Sequence, residues 1–253
     1  MKTEMSFFRG EIYSNQLQMQ TSISVILPDD FSEDKDGKPK ILFLLHGSSD
    51  NSTSWIRNTR VEMYAKRHNL IIVMPEVQKS FYTDMVYGLK YFSYVADELP
   101  QICRNLFHAS EKRDDNFIAG LSMGGYGALK CALRRPETFS KVGVFSAPFN
   151  LESRFSTFSE DKLPELMGIF GNKMRPEDDL FQISKDFAES GAKILPQIFA
   201  TCGTKDFLYE DNTDFWNHMT KIGLEYEYME WEGFHEWGFW DKSVQLMIEK
   251  FLV

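Results

Sequence analysis

The feature that most constrains the fold is a series of short apolar runs separated by stretches long enough for helices. A strand buried on both faces reads as such a run, whereas a half-buried strand alternates apolar and polar residues. The runs cover residues 41–45, 70–74, 117–119, 142–145 and 198–202, and the helix-length stretches include 54–67, 87–107 and 124–135, with Pro100 expected to kink or split the second. Strands that alternate with helices predict a mainly parallel central sheet with helices on both faces.

A different pattern precedes the first of these runs. Apolar residues stand at every second position, with Thr21 completing the register, at Leu17, Met19, Ile23, Val25 and Leu27. That period of two is typical of a half-buried antiparallel strand. Residues 29–39 are charged and contain an Asp-Gly step, which predicts a hairpin loop. We therefore expect antiparallel N-terminal strands beside the parallel sheet.

Residues 148–195 interrupt the alternation. They show no strand pattern, but apolar residues recur among the charges, at Phe155, Phe158, Leu163, Leu166, Met167 and Phe170. Because a structureless loop of this length is unusual in a compact domain, we expect a mainly helical insertion near the active site. The alternative is a surface excursion unrelated to substrate. Without repeats or linker-like stretches, residues 1–253 are predicted to form one domain.

Charge and cysteine usage limit the partners of the chain. The formal charge of −9 argues against nucleic acid or an anionic membrane as the main partner. The apolar run at 41–45 is far too short to span a bilayer, and charges within the first nine residues do not suit a signal peptide, so a cytoplasmic protein is expected. Cys103, Cys131 and Cys202 lack the spacing of metal ligands and are expected to be free, buried thiols, with no metal bound.

The segment Gly120-Leu121-Ser122-Met123-Gly124 fits the pattern G-x-S-x-G. Alone the pattern is weak, but here a predicted buried strand precedes it and a predicted helix follows it. That setting is typical of the nucleophile turn of α/β-hydrolases, in which a strained serine projects its hydroxyl from the edge of the sheet. The alternative is a glycine-rich strand-to-helix turn with an incidental serine. Ser122 is the candidate nucleophile.

Two histidines follow Ser122 and could act as its general base. His218 lies within a helix-like stretch, where a solvated or packed histidine is expected. His235 lies in a loop between a strand-like run and the final helix, at the sheet edge that also carries the nucleophile turn. A base in this fold follows the serine in the chain, and we expect it to be His235.

An acidic residue should orient that histidine. Asp206 comes just after the apolar run at 198–202, where a carboxylate can reach the imidazole Nδ1–H. Asp211 and Asp214 are better explained as residues that satisfy free N–H groups at a helix start. The alternative for Asp206 is a loop carboxylate bonded to its own turn.

The remaining candidates surround the reacting carbonyl. The backbone N–H groups of Met123 and Ser48 are predicted to form the oxyanion hole, Ser48 lying in the loop after the apolar run at 41–45. His46 is expected to brace that loop, with a place in the substrate pocket as the alternative. Trp237 could form a pocket wall or, with Trp240, anchor the last helix.

These motifs together resemble the putative esterase family, which includes tributyrin esterases, acetyl xylan and feruloyl esterases, and S-formylglutathione hydrolase. The matching pieces are His46-Gly47 with Trp55, residues 82–84 through 98–100, Gly120 to Gly127, Gly203 to Asp206, and His235-Glu236-Trp237 with Trp240. The resemblance is greatest to the bacterial tributyrin esterases.

The resemblance implies an α/β-hydrolase that cleaves short-chain acyl esters, including acetyl or feruloyl esters and acylated oligosaccharides, through an acyl-enzyme and without a cofactor. It also implies that homo-oligomers are common. S-formylglutathione hydrolases usually carry a leucine and then Thr-Cys after the His-Gly pair, whereas Ser48-Ser49-Asp50 stands here. That departure disfavours a glutathione thioesterase. Acyl transfer to an acceptor other than water and a non-catalytic binding module are the remaining alternatives.

Overall fold

The computed structural model describes residues 4–29, 37–155, 163–192 and 194–252. Its eight-stranded sheet has the order β1-β2-β4-β3-β5-β6-β7-β8, where β1 to β8 are Met5–Ser14, Met19–Pro28, Lys40–Leu45, Leu70–Pro75, Asn116–Leu121, Lys141–Phe145, Gln197–Gly203 and Glu227–Trp231. β2 is antiparallel to both β1 and β4, and β3 to β8 are mutually parallel. The sheet therefore has a parallel body and an antiparallel N-terminal edge.

Helices cover both faces of this sheet. The α-helices α1 to α10 are Ser54–Asn58, Val61–Ala65, Tyr91–Ser93, Leu99–Phe107, Met123–Arg134, Leu151–Phe155, Leu163–Phe170, Leu180–Glu189, Tyr209–Lys221 and Trp237–Leu252. A π-helical turn, Tyr94–Glu98, joins α3 to α4, and short 3₁₀ turns occupy Arg113–Asp115 and Pro176–Asp178. Within the described ranges, none of these helices combines the length and apolar character needed to cross a membrane.

The apolar runs of the parallel strands are explained by burial on both faces. In β3, Ile41, Phe43 and Leu45 pack into one core with helices α4, α5 and α8, whereas Leu42 and Leu44 pack into a second core with α1, α2 and α10. Because side chains alternate between faces, a strand with two cores needs apolar residues at every position. The sheet and its two helical layers are the α/β-hydrolase fold, as the sequence predicts.

The prediction for residues 29–39 was wrong in one respect. β2 and β3 are not joined as a hairpin, because β4 inserts between them in the sheet. The hairpin at this edge instead joins β1 to β2 through residues 15–18. β1 was not predicted from the sequence, because the apolar alternation used there begins at Leu17. Residues 30–36 of the predicted loop lie outside the described residues.

The described part of segment 148–195 consists of α6, α7, the second 3₁₀ turn and α8. Leu166 and Phe170 of α7 are buried in the core that contains α5, whereas Leu163 and Met167 are partly exposed. Phe158 lies outside the described residues, and the side chain of Phe155 is likewise not described. The segment thus packs one face of α7 against the layer that carries the candidate nucleophile.

Candidate active site

Ser122 occupies the turn between β5 and α5 in a strained backbone conformation, with φ 51° and ψ −122°. Positive φ is costly for a residue with a side chain and is found where surrounding structure holds it in place. Two glycines allow the turn to close. A Cβ on Gly120 would lie 2.4 Å from the backbone of Gly124, and one on Gly124 would lie 2.4 Å from the carbonyl oxygen of Leu45. The turn is thereby pressed against the end of β3.

The structure brings the three residues of the predicted triad together. His235 Nε2 lies 3.1 Å from Ser122 Oγ, and His235 Nδ1 lies 2.9 Å from Oδ2 of Asp206. Asp206 is almost fully buried and also accepts a hydrogen bond from the backbone N–H of Leu208 at 2.8 Å. A carboxylate that accepts the Nδ1–H leaves the Nε2 lone pair free to accept the serine proton. The geometry therefore suits proton transfer from hydroxyl to imidazole.

Aromatic side chains fix the plane of the histidine. The ring of Phe207 lies 4.6 Å from the His235 ring, and Trp240 meets it edge-on at 4.8 Å. Trp240 is itself held by a hydrogen bond from its indole N–H to Ser146 Oγ at 3.2 Å. These contacts restrict rotation of the imidazole about its side-chain bonds.

Both predicted oxyanion donors lie beside Ser122. Met123 is the first residue of α5, where a backbone N–H has no carbonyl of its own helix to bond. Ser48 lines the same cavity as Ser122, and a Cβ on the preceding Gly47 would lie 3.7 Å from Ser122 Cβ. Asp50 holds this loop by accepting a hydrogen bond from the Gly47 N–H at 3.2 Å.

His46 does not line the cavity, which corrects the alternative that it belongs to the substrate pocket. It is 1% exposed, and its Nε2 accepts a hydrogen bond from the Val77 N–H at 3.2 Å. Its Nδ1 lies 2.7 Å from the carbonyl oxygen of Gly47, while Tyr82 donates its hydroxyl to the His46 carbonyl. Both ring nitrogens are used internally, and the side chain braces the loop before Ser48.

Trp237 is likewise absent from the residues that line the cavity. Its indole meets Trp55 and Trp240 edge-on, each at 5.4 Å. The indole therefore packs in an aromatic cluster at the start of α10, as expected of an anchoring residue, and a place for Trp237 in a pocket wall stays a prediction.

The cavity at Ser122 has a volume of about 300 Å³. Its apolar wall consists of Phe81, Pro148, Leu151, Leu166, Phe207 and Leu208, and its polar wall of Ser48, Ser49, Lys79 and Glu165. Lys79 Nζ lies 3.5 Å from Glu165 Oε2, so an ion pair joins the loop after β4 to α7 beside the cavity. Part of segment 148–195 therefore forms this wall.

Sequence reasoning missed most of the cavity wall, including Lys79, Phe81, Glu165 and Phe207. Phe207 could have been suspected from its position next to Asp206. Lys79 and Phe81 lie in an irregular loop, and Glu165 is one of many charged residues in its segment, so no motif marks them.

A buried ionic cluster lies on the side of α5 that faces segment 148–195. Lys130 is fully buried, with its Nζ 2.6 Å from Thr83 Oγ1 and 3.2 Å from Asp178 Oδ1. Arg175 pairs with the other carboxylate oxygen of Asp178 at 2.6 Å, and Tyr126 donates its hydroxyl to the Asp178 carbonyl. Burial lowers the pKa of Lys130 below its usual value, and attraction to Asp178 opposes that shift. The cluster ties the nucleophile helix to the segment that forms part of the cavity wall.

Comparisons with known proteins agree with this architecture. The sequence profile described as "Putative esterase" matches residues 14–251. A curated acetyl esterase from Caldicellulosiruptor saccharolyticus is 30% identical, covering 95% of this chain and 96% of its own.

Two solved structures from Staphylococcus aureus are each 34% identical with a TM-score of 0.88. One is FphF, a fluorophosphonate-binding serine hydrolase with substrate bound, for which the match covers 99% of both chains. The other is the apoenzyme of the S-formylglutathione hydrolase FrmB, for which it covers 99% of this chain and 100% of that one. With the family profile spanning almost the whole sequence, the chain belongs to the putative esterase family and is an enzyme that acts on ester bonds.

Proposed function

We propose that the protein is a serine carboxylesterase in which Ser122 is the nucleophile, His235 the general base and Asp206 the residue that orients the histidine. The observation that carries this proposal is the hydrogen-bonded line from Ser122 Oγ through both nitrogens of His235 to the buried Asp206 carboxylate, at the wall of a cavity. A serine hydroxyl is a weak nucleophile at neutral pH and needs such a base.

In the first half of the reaction, Ser122 Oγ attacks the ester carbonyl carbon while its proton passes to His235 Nε2. The N–H groups of Met123 and Ser48 stabilise the negative charge that develops on the carbonyl oxygen. Collapse of the tetrahedral intermediate breaks the bond to the alkoxy oxygen, which leaves as an alcohol with the proton from His235. An acyl-enzyme ester at Ser122 remains.

In the second half, water attacks the acyl-enzyme as His235 removes its proton. The second tetrahedral intermediate collapses, Ser122 Oγ regains the proton, and the carboxylic acid is released. Throughout, Asp206 accepts the hydrogen bond from His235 Nδ1 and stabilises the imidazolium form of the ring. An added alcohol that replaced water here would give acyl transfer, and the ratio of acid to new ester measures that alternative.

We propose short-chain acyl esters, such as acetyl esters, as the substrates. A cavity of about 300 Å³ is at the small end of ligand pockets, which suits a short acyl group. The 30% identical curated relative is an acetyl esterase. The serines and the Lys79–Glu165 pair give the cavity a polar side for the alcohol portion, which can be a small ester or an acylated oligosaccharide. A feruloyl ester would test the upper limit of acyl size.

A glutathione thioester is the second candidate, because one of the 34% identical structures is an S-formylglutathione hydrolase. Ser48-Ser49-Asp50 after Gly47 argues against it, since this loop lies at the candidate oxyanion site. Comparing kcat/KM for S-formylglutathione and p-nitrophenyl acetate separates the two. A preference for the thioester would make it the principal substrate class.

The proposal of a serine nucleophile is tested with p-nitrophenyl acetate and butyrate. Ser122→Ala should lower kcat by about a millionfold, as loss of the nucleophile does in other serine hydrolases. Ser190→Ala, at an exposed serine at the end of α8, is the matched control and should keep the parent rate. A fluorophosphonate probe should label the parent and the control but not Ser122→Ala. Equal rates for Ser122→Ala and the parent would overturn the assignment.

We also propose that the enzyme works in a reducing compartment such as the cytoplasm. Cys103, Cys131 and Cys202 are all free and buried. Burial raises the pKa of the Cys131 thiol to about 12 and raises the pKa of the other two thiols as well. Free cysteines support this proposal, because proteins of oxidising compartments commonly pair theirs as disulfides.

A further inference from the structure

Strand β1 leaves one edge of the sheet open. It is first in the strand order, and no other strand in the described residues pairs with its outer side. Its ten residue pairs with β2 run without a bulge, and its sequence contains neither lysine nor proline. Bulges, lysine and proline commonly protect an edge in natural sheets, so a long regular edge without them is open to pairing with another strand. The two charged residues of β1, Arg9 and Glu11, are of opposite sign.

The hydrogen-bonding side of this edge follows from the register. Asp29 N–H donates to the Glu4 carbonyl at 2.9 Å, which marks Glu4 and Asp29 as a hydrogen-bonded pair. Such pairs alternate along an antiparallel ladder, so the even-numbered residues of β1 bond to β2. Ser22 stands opposite Glu11, and its carbonyl accepts a hydrogen bond from the Glu76 N–H on the side of β2 that faces away from β1. This agrees with the same alternation. The odd-numbered residues of β1 therefore present their N–H and C=O groups to the open edge.

The side chains of β1 are self-complementary about Gly10. Pairing β1 antiparallel with a second copy, with a two-fold axis at Gly10, sets Arg9 of each copy opposite Glu11 of the other. It also sets Phe8 opposite Ile12 and Phe7 opposite Tyr13. The Phe8–Ile12 pairs lie on one face of the joined sheet. The Arg9–Glu11 ion pairs and the Phe7–Tyr13 aromatic pairs lie on the other face. Cross-strand pairs of these kinds stabilise sheets.

Neighbouring registers lack this match. The open N–H and C=O groups belong to odd-numbered residues, so odd-numbered residues of one copy must stand opposite odd-numbered residues of the other. This requirement places the two-fold axis at a residue and not between two residues, and the nearest alternatives are axes at residues 9 and 11. An axis at residue 9 would set Arg9 opposite its own copy, and an axis at residue 11 would do the same with Glu11. Like charges directly opposite each other destabilise a sheet. The charges thus favour the register centred on Gly10.

We propose that the protein forms a two-fold symmetric dimer in which the β1 strands of two copies pair antiparallel about Gly10, joining the two sheets into one. The exposed large side chains on this strand are explained by that partner: Phe7, Phe8 and Tyr13 are 44%, 55% and 59% exposed. A two-fold dimer is also the most common homo-oligomer, because one patch then satisfies itself.

A cysteine at the axis tests the register. A Cβ on Gly10 has no atom within 4 Å, so Gly10→Cys fits the folded chain. In the dimer the two Gly10 residues form a non-hydrogen-bonded pair with Cα atoms about 4.5 Å apart, close enough for a disulfide. Oxidation should give a dimer on a non-reducing gel that thiol reduction reverses. Met63→Cys, at an exposed residue of α2, is the control and should form no covalent cross-link, so it should run as a monomer on the same denaturing gel. Absence of the cross-link at Gly10→Cys would contradict the register.

Charge reversal tests the pairing independently of folding. Arg9→Glu alone and Glu11→Arg alone place like charges opposite each other and should weaken dimerisation about tenfold or more in sedimentation experiments. An equimolar mixture of the two variants restores opposite charges at both positions and should form a mixed dimer. That rescue excludes misfolding as the cause. A monomeric parent, or a dimer unaffected by either substitution, would overturn the proposal.

Discussion

Oδ2 of Asp206 lies 2.9 Å from Nδ1 of His235, although the two residues follow different strands and are 29 positions apart. The carboxylate is almost fully buried and is held by the Leu208 N–H. Its position fixes which ring nitrogen of the histidine carries the proton. The contact therefore determines whether Nε2 faces Ser122 as an acceptor.

Replacing Asp206 by Asn should remove that control with little change in shape. An amide that donates to Nδ1 stabilises the tautomer in which Nε2 carries the proton and cannot accept one from serine. We expect kcat on p-nitrophenyl acetate to fall roughly ten-thousandfold, as in other serine triads. Circular dichroism and the melting temperature check that the variant is folded. A folded variant with a rate within tenfold of the parent would show that another residue orients His235.

Replacing Gly124 by Ala should disturb the nucleophile turn. The new methyl group would lie 2.4 Å from the Leu45 carbonyl oxygen, so the backbone must move. We expect a loss of about 1–3 kcal/mol in the free energy of unfolding together with reduced kcat. Gly238→Ala is the matched control, because a Cβ there has no atom within 4 Å. Its stability and its esterase rate should equal or slightly exceed those of the parent. Equal stability of the Gly124→Ala variant would argue against a rigid contact.

The Lys79–Glu165 pair should control how the enzyme treats charged esters. Glu165→Gln frees the ammonium group of Lys79 beside the cavity. We expect kcat/KM for an anionic ester to rise up to about fivefold, in line with the small energies of exposed ion pairs. A neutral ester of equal size should change little, and high salt should abolish the difference. Lys79→Gln should shift the preference in the opposite direction. If both variants altered neutral and anionic esters alike, charge would not be the cause.

Glu98 should make stability depend on pH in the acidic range. Burial alone would raise the pKa of its carboxyl, but hydrogen bonds from Ser14, Asn15 and Gln16 outweigh burial and lower it. A depressed folded-state pKa adds stability above the unfolded value, near 4.5, and that stability is lost as pH falls through the folded pKa.

Chemical denaturation of Glu98→Gln and the parent tests this dependence. The parent should be the more stable at pH 6.5, and the difference should shrink as the pH falls below about 4.5. Glu232→Gln, at an exposed glutamate, is the control and should follow the parent at every pH. A difference that stays constant between these pH values would show that the Glu98 charge is not involved.

The parallel body of the fold could be predicted because each strand there carries its own evidence. A strand with a core on both faces must be apolar throughout, as β3 and β4 are. The turn around Ser122 could also be predicted, since its strand, turn and helix follow one another in the chain. The strands next to β2 could not be predicted, because the position of β4 between β2 and β3 depends on contacts between residues far apart in sequence.

The residues of the cavity wall could not be predicted from the sequence for the same reason. Glu165 meets Lys79 only through the packing of α7 against the loop after β4, and neither residue belongs to a motif. β1 was missed for a different reason: several of its large residues are exposed and give no apolar alternation. The wrong hairpin at residues 29–39 followed from treating consecutive strands as neighbours, which holds often but not always.

The buried Lys130 has a consequence for redesign of this enzyme. Its ammonium group belongs to the helix that begins beside Ser122, whereas its carboxylate partner Asp178 belongs to the segment over that helix. Removing the Asp178 carboxylate leaves the buried ammonium group of Lys130 without its partner charge, at a cost of about 3–5 kcal/mol. A graft that exchanges residues 148–195 with the corresponding part of a relative must therefore bring an acidic residue to position 178, or replace Lys130 at the same time.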